Sequence, residues 1–114
     1  MNYLRVLNGI VIDPGHGGED NGASGNGIIE KNMTLDISKY MYDRFKELGI
    51  PVALTRDSDV TLSSDRRPSE ALSKFGNGEN VIIISNHINA GGGEFNFHYI
   101  IWLGIKTAVF KQLS

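Results

Sequence analysis

Three short runs of apolar, largely β-branched residues, at positions 9–13, 52–55 and 81–85, lack the alternation of apolar and polar side chains that a strand with one wet face requires. Strands of this kind are covered on both faces. The segment 31–48 lies between the first two runs. Its apolar residues Met33, Ile37, Tyr40, Met41, Phe45 and Leu48 recur at steps of three and four, Gly49 follows at the position after the cap, and Pro51 lies beyond it. This spacing predicts a helix over 31–48. Between the second and third runs, Ser63-Ser64-Asp65 offers helix caps, and Pro68 fits the first turn of a helix that starts near Arg67. Strand, helix, strand, helix, strand, with no polar strand face, predicts an α/β fold: a mostly parallel central sheet flanked by helices on both faces. Residues 20–27, rich in glycine and asparagine, read as a loop, residues 95–103 as one further strand, and the last residues as a short terminal segment.

Composition excludes several classes. With 114 residues, 40% of them hydrophobic and 21% charged, the chain reads as a single domain over 1–114. A chain of this length buries about two-thirds of its unfolded surface. The net charge is −2 and Arg66-Arg67 is the sole pair of adjacent cations, which argues against a nucleic-acid surface. The absence of cysteine excludes disulfides and thiolate metal sites, so any metal must be held by nitrogen and oxygen. Residues 1–8 show no basic region followed by an apolar stretch and a small-residue cleavage site, and predict no secretory signal. The longest apolar stretch, 95–103, is broken by Asn96 and His98 and falls short of the ~20 residues of a membrane span.

The chemistry concentrates where the strands end. Asp13-Pro14-Gly15-His16-Gly17-Gly18 follows the first strand, His87 closes the third apolar run, and Glu30 stands at the start of the first helix. In a parallel sheet, ligands gather at the carboxyl ends of the strands. Two histidines and one carboxylate make a zinc inventory: a catalytic zinc takes three such ligands and keeps a fourth position for water. Each residue also has a structural reading. His16 alone is a loop histidine bonded to backbone, Glu30 a first-turn carboxylate favoured by the helix dipole, and His87 a satisfied core histidine. Asp20 and Asn89 are candidates to orient the ligands from the outer sphere, with a turn role the simpler alternative for Asp20. His98 reads as structural. Glu19 and Glu94 are weak candidates for a base, and the glycines at 15–18 lack the Lys-Ser or Lys-Thr of a phosphate loop.

Taken together, I-V-I-D-P-G-H-G-G at 10–18, D-N-G-A at 20–23, E-K-N at 30–32, L-T-R-D at 54–57 and S-N-H-I-N-A at 85–90 resemble the zinc-dependent N-acetylmuramoyl-L-alanine amidases of cell-wall hydrolases and phage endolysins. The resemblance covers about 9–90. It implies zinc held by His16, Glu30 and His87, and peptidoglycan as substrate, cut at the amide between N-acetylmuramic acid and L-alanine. The family's general-base glutamate, on a last strand reading approximately P-A-V-L-V-E, has no match in the divergent tail 94–114. No catalytic base is therefore assigned. The resemblance accordingly implies a C-terminally truncated or divergent domain, an incomplete sheet, and a dimer or a C-terminal complement as partner. A catalytically inactive zinc-binding remnant or wall-binding module is the alternative. Without a signal peptide, synthesis in the cytoplasm and action at the cell wall are expected.

Overall fold

The computed structural model describes residues 7–78, 80–91, 94–103 and 107–111; within the C-terminal strands the described side chains are those of residues 81–88 and 97–101. The elements run β1 (Gly9–Pro14), β2 (Ser24–Gly25), β3 (Ile28–Ile29), α1 (Glu30–Glu47), β4 (Val52–Leu54), α2 (Arg66–Phe75), β5 (Val81–Gly91), β6 (Glu94–Leu103) and β7 (Thr107–Lys111). Five of the strands form one sheet in the order β4-β1-β5-β6-β7. β1 pairs in parallel with β4 and β5, through Ile12↔Leu54 and Ile12↔Ile84, while β6 and β7 add antiparallel. The sheet is thus mixed, with its parallel part built from the three runs that lack a polar face.

β1 and most of β5 are buried because a helix covers each side, whereas β4, at the sheet edge, is only half-buried over Val52–Leu54, short of the cover expected on both faces. Ile10, Ile12 and Ile84 point to α1, where Met41, Tyr42 and Phe45 meet them. Val11, Val81 and Ile83 point the other way, to Ala71 and Phe75 of α2. Full burial of a branched aliphatic side chain contributes about 1.5–3 kcal/mol, so both layers stabilise the strands they cover. Gly9 is required for the second layer, since a Cβ there would lie 2.3 Å from the Phe75 ring.

Three local expectations differ from the structure. The loop at 20–27 contains part of a small hairpin, β2 paired antiparallel with β3. Tyr40 of α1 and Leu48, which caps it, are exposed, and the buried positions of α1 are Glu30, Thr34 and Ser38. Small polar residues on the first half of the helix let it approach the β1 turn closely: Thr34 Oγ1 donates to the Gly15 carbonyl at 2.8 Å, and Ser38 Oγ accepts from Asn86 Nδ2 at 2.9 Å. Third, β5 does not stop near Ser85; antiparallel pairing with β6 carries it to Gly91. The second helix starts at Arg66, in keeping with the expected start near Arg67, and the Arg66 amide donates to Ser63 Oγ. No helix among the described residues is long and apolar enough to cross a membrane.

Candidate metal centre

The parallel ladder between β1 and β5 ends at Pro14↔Asn86, and the next residue on β5 is His87. Beyond Pro14 the β1 chain turns sharply. Gly15 passes so near β5 that a Cβ on it would sit 2.7 Å from His87 Cε1, and His16 adopts φ 64°, the left-handed region that residues other than glycine rarely occupy. Those two features bring the His16 ring to the His87 ring edge-on, with centroids 5.2 Å apart.

Glu30 closes the group. As the first residue of α1 it is buried, and its two carboxylate oxygens accept backbone N–H bonds from opposite sides: Oε1 from Ala23 and Oε2 from Ile88, each at 2.9 Å. The carboxylate is therefore fixed between the loop that follows β1 and the strand that carries His87. Oε2 lies 3.0 Å from His16 Nε2 and 3.4 Å from His87 Nδ1. The candidate ligand atoms of His16, Glu30 and His87 all fall within 4.8 Å of one another.

These distances suit the group that the donor set implies. A tetrahedral zinc with bonds of ~2.0 Å holds its ligand atoms about 3.3 Å apart, close to both separations from Glu30. The ring nitrogen of His16 not facing Glu30, Nδ1, meets Asp20 Oδ2 at 2.8 Å. A carboxylate there fixes the tautomer and turns Nε2 inward. That hydrogen bond holds the Asp20 carboxyl below its ordinary range, and burial, followed by the neighbouring His16, lowers the His87 imidazole below its own. Both shifts favour the forms a metal needs, a neutral imidazole beside ionised carboxylates.

The residues around the turn carry the electrostatic load. Asp13, buried at the end of β1, accepts from Thr55 Oγ1 (2.7 Å), Ser85 Oγ (2.8 Å) and Arg67 Nη1 (2.8 Å). The glycines that follow His16 are strapped to the loop after β4: Gly18 N–H donates to Asp59 Oδ1 (2.7 Å), and Lys31 Nζ bridges the Gly18 carbonyl and Asp59 Oδ2. On the α2 side of the sheet a cavity of about 430 Å³ opens directly beside His16 and His87, with Leu62, Ala71, Ile83 and Ile100 on its apolar wall and Asp13, Asp20 and Arg67 on its polar one.

Of the residues singled out in the sequence, His16, Glu30, His87 and Asp20 lie together. His98 is opposite His87 on β6, and its ring stacks on that of His87 at 5.6 Å and 16°. Glu19 is exposed on the turn and does not line the cavity. Asn89 and Glu94 belong to β5 and β6, and their side chains lie outside the described ones. Arg56 and Arg67, which bond backbone carbonyls of the turn that carries His16, are not among the residues the sequence singles out. The available signal was position, one arginine following β4 and the other in the first turn of α2.

Known proteins match this architecture. The profile of the N-acetylmuramoyl-L-alanine amidase family matches residues 10–107. The N-acetylmuramoyl-L-alanine amidase CwlM of Bacillus licheniformis is 36% identical over 107 residues, covering 91% of this chain and 41% of its own length. The endolysin of Bacillus phage SPP1 is 38% identical over 104 residues, 89% of this chain and 37% of its own. Among solved structures, the amidase AmiC2 of Nostoc punctiforme aligns with a TM-score of 0.65 at 33% identity, over 78% of this chain and 47% of that one. The chain belongs to the N-acetylmuramoyl-L-alanine amidase family. It spans about two-fifths of the length of CwlM and of the SPP1 endolysin.

Proposed function

We propose that the chain is a zinc-dependent hydrolase of peptidoglycan that cuts the amide between N-acetylmuramic acid and L-alanine. The observation that carries this reading is the convergence of ligand atoms of His16, His87 and Glu30 within 4.8 Å, with His16 Nε2 and His87 Nδ1 both facing a carboxylate already fixed by two backbone amides. These three residues would hold the metal, and Asp20 would orient His16 through Nδ1. Zinc supplies Lewis acidity at such a site, polarising a carbonyl and making water a better nucleophile at neutral pH. The cavity beside the two histidines is the place for the junction of sugar and stem peptide, with its apolar wall against the methyl-bearing groups and its polar wall toward the scissile amide.

Proton transfer is where the reading divides. The carboxylates that line the cavity among the described residues are Asp13 and Asp20, and both are engaged: Asp13 with three side chains, Asp20 with His16 Nδ1 and the Gly22 amide. Neither is a free general base. Such a base contributes about 10²- to 10⁴-fold, so a site without one would keep its metal while turning over more slowly by that factor. This observation supports a second reading, a zinc-binding domain on the wall with no turnover. Zinc content of the purified chain, measured together with release of L-alanine N-termini from isolated cell walls, separates the two. Zinc-dependent release supports the hydrolase, bound zinc without release supports the silent domain, and a folded chain that binds no zinc contradicts both.

A further inference from the structure

Two arginines that are not ligands close on the turn that carries His16. Arg67 extends from the first turn of α2 with its side chain 19% exposed and uses both hydrogens of each terminal nitrogen. Nη1 donates to Asp13 Oδ1 and to the Pro14 carbonyl, both at 2.8 Å, and Nη2 donates to the carbonyls of His16 and Leu62, both at 3.0 Å. Arg56, buried just after β4, donates from Nε to the Pro14 carbonyl at 3.3 Å and from Nη2 to the carbonyls of Gly15 (2.9 Å) and Lys31 (3.0 Å). Three successive carbonyls, those of Pro14, Gly15 and His16, therefore end on guanidinium groups. One nitrogen of Arg56 also ties the residue before His16 to the residue after Glu30.

This arrangement bears on a strained conformer. His16 at φ 64° is costly for a residue with a Cβ and persists only where its surroundings over-determine it. A return to negative φ would swing the imidazole off Glu30 and turn its carbonyl away from Arg67. We infer that Arg67 is a positioning residue for the metal site: its planar fork holds the carbonyls on either side of the turn and so selects the backbone conformer that aims His16 Nε2 at Glu30. The inference rests on the metal site proposed above and adds to it a residue that touches neither metal nor substrate. Lysine cannot replace the fork. An ammonium has three donors in tetrahedral array, and the four acceptors here are met by four N–H groups in one plane.

The test is zinc affinity, by competition with a chromogenic chelator, for the wild-type chain, Arg67→Lys, Arg67→Gln and Arg66→Ala. Far-UV circular dichroism checks folding, and the visible absorption of the cobalt-substituted chain reports coordination geometry. Arg66 is the exposed neighbour, paired with Glu70 on the outer face of α2, and its variant is expected to match wild type in affinity and spectrum. Arg67→Lys is expected to fold, to bind zinc 10- to 100-fold more weakly, as loss of an outer partner does, and to show an altered cobalt spectrum; Arg67→Gln is expected to be at least as weak. A folded Arg67→Lys with wild-type affinity and spectrum overturns the inference. So does an Arg67→Lys chain that fails to fold, since Arg67 would then serve the fold and not the ligand. A wild-type chain that binds no metal instead overturns the metal site itself, so the two failures are distinguishable.

Discussion

His16 and His87 reach the same carboxylate by opposite means. His16 sits on an irregular turn, at a backbone conformation it would not choose, and is held there by hydrogen bonds: Asp20 on the ring, Arg67 on the carbonyl, glycines on both sides. His87 sits in a regular strand, paired with His98 across β6, and is placed by the sheet and by ring stacking. The turn therefore depends on charged groups far away in sequence, whereas the strand position depends on neighbours supplied by the ladder itself. A site split in this way joins a precise but strained element to a robust one, and the two halves should fail differently when perturbed.

The largest effect is expected from removing either ligand. His16→Ala and His87→Ala should each take zinc stoichiometry from one per chain to none, because a three-ligand site with two protein ligands loses its closed geometry; metal analysis after dialysis measures this. Retained stoichiometry in His87→Ala would remove β5 from the site. Next is Asp13→Ala, which strands Arg67 without its carboxylate and leaves the Thr55 and Ser85 hydroxyls without their acceptor. Breaking a largely buried pair on one side costs about 3 kcal/mol, read as a shift in the urea midpoint. An unchanged midpoint would show that the turn does not need its charges. Asp20→Asn is expected to cost about tenfold in zinc affinity, the low end for an outer partner, with no change of fold.

The smallest effect concerns pH. Lys31 and the Gly18 amide hold the exposed Asp59 carboxyl below its ordinary value, so near and just below pH ~4 the unfolded chain binds more protons than the folded one. The contribution is therefore fully present above that pH and is lost as pH falls through the lowered folded value. Asp59→Asn should flatten the acid limb of stability against pH slightly, and less so at high salt, since the group is exposed. A steeper limb in the variant would contradict the sign.

What was legible in the sequence follows the same division. The three candidate ligands stood out because a histidine among glycines after a buried strand, a histidine ending another such strand and a glutamate opening a helix are local patterns. The parallel core was legible because Ile10, Val11 and Ile12 admit no wet face. The arginine contacts were not: Arg56 and Arg67 bond carbonyls about 40 and 50 residues earlier in the chain, and a carbonyl has no residue type. The extension of β5 through Asn86, His87 and Asn89 was hidden for a related reason. Those polar residues resemble a loop until β6 supplies their partners. The buried face of α1 was misjudged because Thr34 and Ser38, both fully buried, do the packing that Tyr40 and Leu48 were expected to do.

In the proposed centre, His16 and His87 present opposite ring nitrogens to one metal beside Glu30. A crystal structure of the zinc-loaded chain, with anomalous data across the zinc edge, tests it directly. The predicted result is a single zinc within bonding distance of His16 Nε2, His87 Nδ1 and a Glu30 oxygen, with Asp20 still on His16 Nδ1. A zinc bound elsewhere, or one that takes His16 through Nδ1 with Asp20 displaced, would rule this centre out.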